Sequence, residues 1–167
     1  ENEAVHFIVG HAETLVEGGA DFESAGNEGF RRLFRYISGG NKAQSKIAMT
    51  APVAQAAESE KIAMTVPVQQ TGSARGWRVA FTLPAKYSLE TAPVPEDPRV
   101  RIVQEPARLF AVLRYSGRWT ESNYTASRDE LLAALSDAGV RVRGEPQLAR
   151  YNAPFVPPFM RRNEVLI

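Results

Sequence analysis

Side chains that often carry catalysis or hold metals are scarce in this chain. Its 167 residues include two histidines, His6 and His11, and no cysteine. The lack of cysteine excludes disulfides, thiolate nucleophiles, iron–sulfur clusters and cysteine-bound zinc. Two histidines near the start of the chain give little material for a histidine-rich metal site or a catalytic triad. Metallohydrolase chemistry is therefore disfavoured.

The two methionines of a sequence repeat are the next candidates. The segment KIAMTAPV at residues 46–53 returns as KIAMTVPV at residues 61–68. In both copies every second residue is apolar, the period of a strand with one buried face. We therefore predict two neighbouring antiparallel strands, with Met49 and Met64 at equivalent positions on the buried side. A thioether there fills gaps in an apolar interior.

The elements around these residues begin with a predicted helix from Phe22 to Ile37. Asp21 is its expected N-cap, and Gly39-Gly40 is the expected stop signal. One apolar stripe follows the helical period, and three arginines occupy the flanks and the far side. The stripe comprises Phe30, Leu33, Phe34 and Ile37, and the arginines are Arg31, Arg32 and Arg35.

A second helix is predicted from Glu121 to Ala138, between Thr120 as N-cap and Gly139 as stop signal. Its apolar side comprises Tyr124, Leu131, Leu135 and Ala138. Tyr115 and Trp119 close the turn before this helix, and no chemistry is assigned to them.

Strands are predicted on both sides of each helix, at residues 6–16, 77–83 and 109–115 in addition to the repeat. The chain then consists of two halves, each strand, helix, strand, strand, joined by a proline-rich segment at 92–98. Two helices cannot supply the crossovers of a doubly wound parallel sheet. We predict an α+β fold in a single domain, residues 1–167, with a curved antiparallel sheet or distorted β-barrel flanked by two helices.

Composition limits the classes of partner. Hydrophobic residues make up 44% of the chain, charged residues 23%, and the formal net charge is +1. This is a globular composition without the basic excess of nucleic-acid-binding proteins. The longest apolar run, residues 109–113, is too short to span a membrane. The sequence leaves the compartment unknown: we expect a soluble protein, cytoplasmic or, since the chain begins at Glu1 and not Met, periplasmic if a leader was removed.

Four segments together resemble the SOUL heme-binding family. They are NEGFRRLFRYISGGN at 27–41, KIAMTAPV at 46–53, WRVAFTLP at 77–84 and RRNEV at 161–165. The resemblance spans nearly the whole chain. It implies a distorted antiparallel β-barrel built from a duplicated strand-helix-strand-strand unit with the helices outside. The small-molecule effector domains of certain bacterial regulators share that fold.

The resemblance also implies reversible, non-covalent binding of heme or another tetrapyrrole in an apolar cleft beside the first helix. An apolar wall with a few cations at its mouth suits a flat disc that carries two carboxylates. Phe30, Leu33 and Phe34 are the expected wall, and Arg31 and Arg35 the expected carboxylate partners. Each of these residues also fits a plainer role, as core for the stripe and as a solvated face for the arginines.

For the iron ligand, the resemblance points to His6, because some family members carry a histidine before the first long strand. A surface histidine that binds nothing is the alternative, and it holds more strongly for His11. Met49 and Met64 can also ligate heme iron, although core filling is favoured for both.

A second function stays open, that of an effector-binding or hydrolase-like domain of the related regulator fold. Its candidate is Glu164, whose burial in the cleft would suit an acid or base. A structural ion pair with Arg161 or Arg162 is favoured for this carboxylate. The sequence leaves enzyme activity undecided, with a binding protein preferred, and it does not indicate the oligomeric state.

Overall fold

The computed structural model describes residues 9–44, 59–106 and 108–167, with the backbone alone at Val9. His6, Met49 and the first copy of the repeat lie outside the described residues. No helix in the described part of the chain has the length and apolar character that a membrane span requires.

The described residues contain nine strands, two α-helices and one short 3₁₀ turn. The helices are α1 (Phe22–Ile37) and α2 (Glu121–Asp137), and the 3₁₀ turn is Pro158–Met160. The strands are β1 (Val9–Glu17), β2 (Asn41–Lys42), β3 (Val68–Ser73), β4 (Gly76–Thr82), β5 (Val94–Pro95), β6 (Val100–Glu105), β7 (Val112–Tyr115), β8 (Gln147–Arg150) and β9 (Asn163–Leu166).

Seven strands form one antiparallel sheet in the order β6-β1-β4-β3-β8-β9-β7, while β2 and β5 form a separate pair. Counted inward from β1, the first half runs β1-β4-β3. Counted inward from β7, the second half runs β7-β9-β8, the same order of first, third and second strand. The two halves meet where β3 pairs with β8. The predicted α+β fold with duplicated halves is confirmed, and β6 is an extra strand beside β1.

The predicted closure of the sheet into a barrel is not observed in the described residues. Among the described residues, β6 and β7 are edge strands that pair on one side only. The sheet nevertheless curves. Arg101 on β6 and Gln147 on β8 line one cavity, although four strand spacings would separate these strands by about 19 Å in a flat sheet. The structure is therefore an open, curved sheet with both helices on one face.

Helix α1 begins where predicted. The Asp21 carboxylate accepts hydrogen bonds from the backbone N–H groups of Glu23 and Ser24, at 3.1 and 3.0 Å, which satisfies two donors that the first helical turn leaves free. Its buried face includes Gly26 and Gly29 as well as Leu33. A Cβ at residue 29 would lie 2.4 Å from Cγ2 of Val79. The helix backbone thus approaches β4 along its glycines.

This close approach rotates the buried face away from the predicted stripe. Leu33 and Ile37 are buried as expected, whereas Phe34 is 48% exposed. Helical periodicity places Phe34 beside Phe30 and Ile37, but the contact line runs through the glycines, which the pattern of apolar residues does not count. The plainer role considered for Phe34, as a core residue, is therefore wrong.

Helix α2 also starts as predicted, with the Thr120 hydroxyl accepting from the Asn123 N–H at 3.3 Å. Tyr124 and Leu131 are buried against the sheet. Ala138 is the C-cap and is exposed, so the apolar side of this helix is shorter than the sequence predicts.

The second copy of the repeat is a strand only from Val68 onward. Ile62 is buried, but Met64 is 46% exposed, so the prediction of a buried Met64 is wrong. Residues before Val68 are held by single contacts, from Ile62 N–H to Ile37 O at 2.8 Å and from the Thr65 hydroxyl to Thr82 O. No strand ladder among the described residues includes residues 61–67, and without a ladder the alternation of apolar residues does not impose alternate burial.

Candidate functional site

Two phenylalanines of α1 form an exposed aromatic surface. The rings of Phe30 and Phe34 stack with centroids 5.9 Å apart and planes inclined by 12°. Phe30 also contacts the core ring of Phe81, at 5.3 Å between centroids. The pair is therefore anchored from below, with about half of the Phe34 side chain left in solvent. We call Phe30 and Phe34 the aromatic surface.

Two exposed arginines lie beside the aromatic surface on the same helix. Arg31 and Arg35 are one turn apart, and each follows one of the two phenylalanines in sequence. Neither forms an ion pair with a carboxylate of the described residues. Arg32, by contrast, is tied to the sheet, where it donates to Thr14 Oγ1 at 3.3 Å and to Leu15 O at 3.0 Å. We call Arg31 and Arg35 the arginine row.

A separate cavity of about 400 Å³ lies between the two helices, where the two halves of the sheet meet. The first turn of α1, β3, β8 and the loop before α2 supply its walls. We call it the central cleft; its lining residues are Phe22, Glu23, Asn27, Gln70, Arg118, Trp119, Thr120, Arg150, Pro158 and Arg161.

Arg150 is the most unusual side chain of the central cleft. It is only 8% exposed, and its Nε and Nη2 atoms have no hydrogen-bond partner among the described residues. Burial lowers the pKa of this guanidinium to about 10, an effect that the phenol of Tyr115 partly opposes. The group therefore stays charged at neutral pH in a place where charge is costly.

The indole of Trp119 forms the aromatic side of the cleft. The guanidinium carbons of Arg161 and Arg150 lie 4.2 and 5.3 Å from its ring centroid. Its Nε1–H donates to Oδ1 of the buried Asn163 at 2.7 Å, which fixes the ring orientation. The hydroxyl of Tyr115 is buried nearby without a partner among the described residues. Burial raises the pKa of this phenol to about 12.

Comparison with models of known protein families shows to which family the chain belongs. The family model described as SOUL heme-binding protein matches residues 10–167. The chain belongs to the SOUL heme-binding protein family. Heme-binding protein 1 of Xenopus laevis is 24% identical to this SOUL chain over 148 residues, which cover 88% of the chain and 72% of that relative.

Solved structures share the fold of this SOUL chain. A hydrolase from Listeria innocua superposes with a TM-score of 0.54 at 13% identity, covering 97% of this chain and 89% of that one. The C-terminal domain of EcmrR superposes with a TM-score of 0.54 at 12% identity, covering 96% and 89%. At such low identity the likeness concerns the fold alone.

The structure separates the site residues that the SOUL resemblance implies. Phe30, Phe34, Arg31 and Arg35 share one exposed side of α1. Leu33 has no exposed surface and packs in the core behind them. Met64 lies in the segment that Ile62 joins to the end of α1. His6 and Met49 fall outside the described residues.

Glu164 is buried but does not line the central cleft. Its Oε1 lies 2.6 Å from Arg162 Nη2, and its Oε2 accepts a 2.7 Å hydrogen bond from the Tyr151 hydroxyl. Burial and this hydrogen bond raise the pKa of Tyr151 to about 12. The neighbouring Asn163 bonds to Trp119 on the helix side, so Glu164 points to the opposite face of the sheet. The ion pair with Arg162 is confirmed.

The helix-free face of the sheet holds a charged cavity of about 500 Å³. Glu13 lies 3.7 Å from Arg78 and 3.9 Å from Arg101, and Glu105 lies 2.6 Å from Arg108. His11 is buried at the same face, and burial lowers its pKa. In this cavity Glu13, Arg78 and Arg101 pair with one another, whereas the guanidinium of Arg150 in the central cleft has no carboxylate partner among the described residues.

Sequence reasoning missed Arg150 as a site residue. The available signal was an arginine at the end of the short run Gln147-Leu148-Ala149-Arg150. In the structure this run is a strand whose four residues are all buried. A charge in such a strand requires a partner or a function. Which side of the sheet it faces depends on the β3–β8 register, and local periodicity does not supply that.

Proposed function

We propose that this chain binds heme or a related tetrapyrrole non-covalently, as a carrier, buffer or sensor. Membership of the SOUL heme-binding protein family supports this, as does the name of the Xenopus relative. The observation that carries the proposal is the half-exposed ring of Phe34, stacked on Phe30 and open to a planar partner.

The aromatic surface suits a tetrapyrrole in shape and polarity. A porphyrin is flat and apolar, and offset stacking on an aromatic ring contributes about 0.5–1.5 kcal/mol beyond the area that it buries. Phe30 is held by Phe81, so ordering the surface costs little side-chain entropy. Leu33 supports the surface from the core and is not part of the proposed contact set.

The arginine row suits the two carboxylates at the edge of the ring. Arg31 and Arg35 run parallel to the aromatic surface, and neither forms an ion pair with a carboxylate of the described residues. Guanidinium groups bind carboxylates through paired hydrogen bonds. A tetrapyrrole that lies on Phe34 therefore meets cations along one edge.

The iron ligand is proposed from the resemblance. His6 remains the predicted axial ligand, and Met49 and Met64 remain the thioether candidates. Of these three, Met64 has an exposed side chain in the described part of the chain. When bound, heme would supply an iron centre able to exchange axial ligands, while the protein's own residues bind and orient the ring.

Hemin titration followed at the Soret band tests the proposal, with Phe34→Ala as the informative variant and Phe155→Ala as its control. Phe155 is 88% exposed and lies on a different element, so both variants remove one exposed phenylalanine. We expect saturable one-to-one binding, weakened about tenfold or more by Phe34→Ala and unchanged by Phe155→Ala.

Equal effects of the two variants would mean nonspecific adsorption to apolar patches and would contradict the proposal. His6→Ala separates the iron ligand from the ring contact. A changed Soret spectrum with retained one-to-one stoichiometry is the result expected if His6 is the axial ligand.

A further inference from the structure

We propose that the central cleft is a second ligand site, distinct from the aromatic surface, which binds a small organic carboxylate through Arg150. The inference goes beyond tetrapyrrole binding and does not depend on it. It rests on a buried, unpartnered cation that lines an open cavity.

The first argument is the unmet hydrogen-bonding capacity of Arg150. Nε and Nη2 are the two unpartnered atoms, and their N–H groups lie along one edge of the guanidinium plane. This edge matches the two oxygens of a carboxylate in the bidentate geometry typical of arginine. A planar carboxylate would therefore satisfy both donors at once, in a site where leaving them unsatisfied is costly.

The second argument is the glycine that packs closely against this edge. Gly26 of α1 faces it, and a Cβ at residue 26 would lie 3.4 Å from Arg150 Nη2 and 2.6 Å from Gln70 Oε1. Gln70 itself is held by its hydrogen bond to Phe22 O at 2.7 Å. A larger residue at position 26 would displace Gln70 or crowd Arg150.

The third argument is the charge of the cleft. Among the described lining residues, three are arginines, Arg118, Arg150 and Arg161, and Glu23 alone is acidic. The first turn of α1 and the N-cap of α2 also face the cavity, and helix N-termini favour anions. The net field therefore attracts a negative ligand and opposes a cationic one.

The cavity indicates the size and character of that ligand. About 400 Å³ lies near the lower end of small-molecule sites, which span about 300–1,000 Å³. The Trp119 ring offers an aromatic side next to the cationic one. We therefore assign the cleft to a small carboxylate with an apolar or aromatic body, and we choose benzoate as the probe.

Titration of the full chain with sodium benzoate at constant ionic strength is the primary test. The chain has two tryptophans, Trp77 and Trp119, so two indole N–H signals are expected in a proton–nitrogen correlation spectrum. We expect saturable movement of the Trp119 signal, identified by its loss in Trp119→Phe. Movement of neither signal, or a linear drift of both, would overturn the proposal.

Variants locate the anion-binding group. Arg150→Gln should weaken benzoate binding at least tenfold, and Gly26→Ala should weaken it without removing the cation. Arg143→Gln, which removes an exposed arginine that does not line the cleft, should leave binding unchanged. If Arg150→Gln does not fold, Gly26→Ala in the folded protein decides the question. Equal affinity of the wild-type and a folded Arg150→Gln or Gly26→Ala variant would contradict the assignment.

Further arms distinguish the ligand class and the two proposed sites. Phosphate at equal ionic strength should compete with benzoate at least tenfold more weakly than 4-methylbenzoate does. Stronger competition by phosphate would contradict the carboxylate assignment.

Saturating benzoate should leave hemin affinity unchanged, and Phe34→Ala should leave benzoate affinity unchanged. Mutual displacement of hemin and benzoate would mean one shared site and would overturn the second-site proposal, whereas failure of hemin binding alone would not.

Discussion

The guanidinium group of Arg150 lies 5.3 Å from the ring centroid of Trp119, between the two helices. Arg150 comes from the central pair of strands, and Trp119 from the loop that leads into α2. A cation near an indole ring gains about 0.5–2 kcal/mol, more when it is shielded from water. This contact offsets part of the cost of burying Arg150, but it leaves the two N–H donors unpaired.

Removing the charge of Arg150 should stabilise the ligand-free protein. The pKa of this residue falls from 12.5 to about 10 on folding, which corresponds to roughly 3 kcal/mol at about 1.4 kcal/mol per unit. We therefore expect Arg150→Met to raise the free energy of unfolding by about 1–3 kcal/mol. Urea denaturation at neutral pH measures it, with Arg150→Lys as the control that keeps a charge. A loss of stability in Arg150→Met would assign Arg150 a structural role instead.

Hemin affinity should depend modestly on the arginine row. Exposed ion pairs contribute about 0.2–1 kcal/mol, so Arg31→Gln and Arg35→Gln should each weaken hemin binding by a factor of roughly 1.4 to 5. The dimethyl ester of hemin lacks the carboxylates, and its affinity should be insensitive to both substitutions. Equal sensitivity of hemin and its ester would place the carboxylates elsewhere.

Gly29→Ala should destabilise the protein, although alanine favours a helix over glycine by about 1 kcal/mol. The added Cβ would lie 2.4 Å from Val79 Cγ2, and overpacking of this kind costs about 1–3 kcal/mol. Thermal or urea unfolding measures the change. The same substitution in a Val79→Ala background should cost less, and an equal cost in both backgrounds would exclude the contact as the cause.

Asn41→Asp should cost about 3 kcal/mol or more. The Asn41 side chain is buried and donates from Nδ2 to Tyr36 O at 2.7 Å and to Glu60 O at 2.8 Å, while Oδ1 accepts from Glu60 N–H at 2.9 Å. Aspartate keeps the acceptor, loses both donors and buries a charge beside two carbonyl oxygens. Asn41→Ala, which removes the whole network without adding charge, is the comparison. A smaller loss for aspartate than for alanine would contradict this account.

Stability should fall as the pH drops below 6.5, because of His11. Burial is the main cause that lowers its pKa; Arg78 and Arg108 lower it further, and Glu105 opposes them. The unfolded chain takes up its proton near pH 6.5, before the folded chain does, so stability is complete above 6.5 and decreases below it. His11→Gln should flatten this part of the urea midpoint–pH curve, and an unchanged slope would contradict the assignment.

The helix ends were predictable because their signals are local. Asp21 and Thr120 are N-caps in the structure as in the sequence, since a capping side chain bonds to donors two or three residues away. The two halves were also predictable, because each unit carries its own order of strand and helix. Neither inference requires knowledge of distant contacts.

The exposure of Phe34 and Met64 was not predictable in this way. Periodicity identifies an apolar stripe, but the orientation of α1 depends on the fit of Gly29 against Val79. Met64 follows an alternating pattern, yet among the described residues its segment is bonded to Ile37 and Thr82 by single hydrogen bonds and belongs to no strand ladder.

The amino-acid sequence by itself determined the fold class, the helix boundaries, the family and the residues proposed to contact a tetrapyrrole. The tertiary structure alone decided which of them face solvent and that Arg150 is buried beside Trp119 with two nitrogen atoms that no described residue pairs. The physical reason is distance along the chain: the central cleft gathers side chains from α1, β3, β8 and the loop before α2, and only strand register and helix packing bring them together.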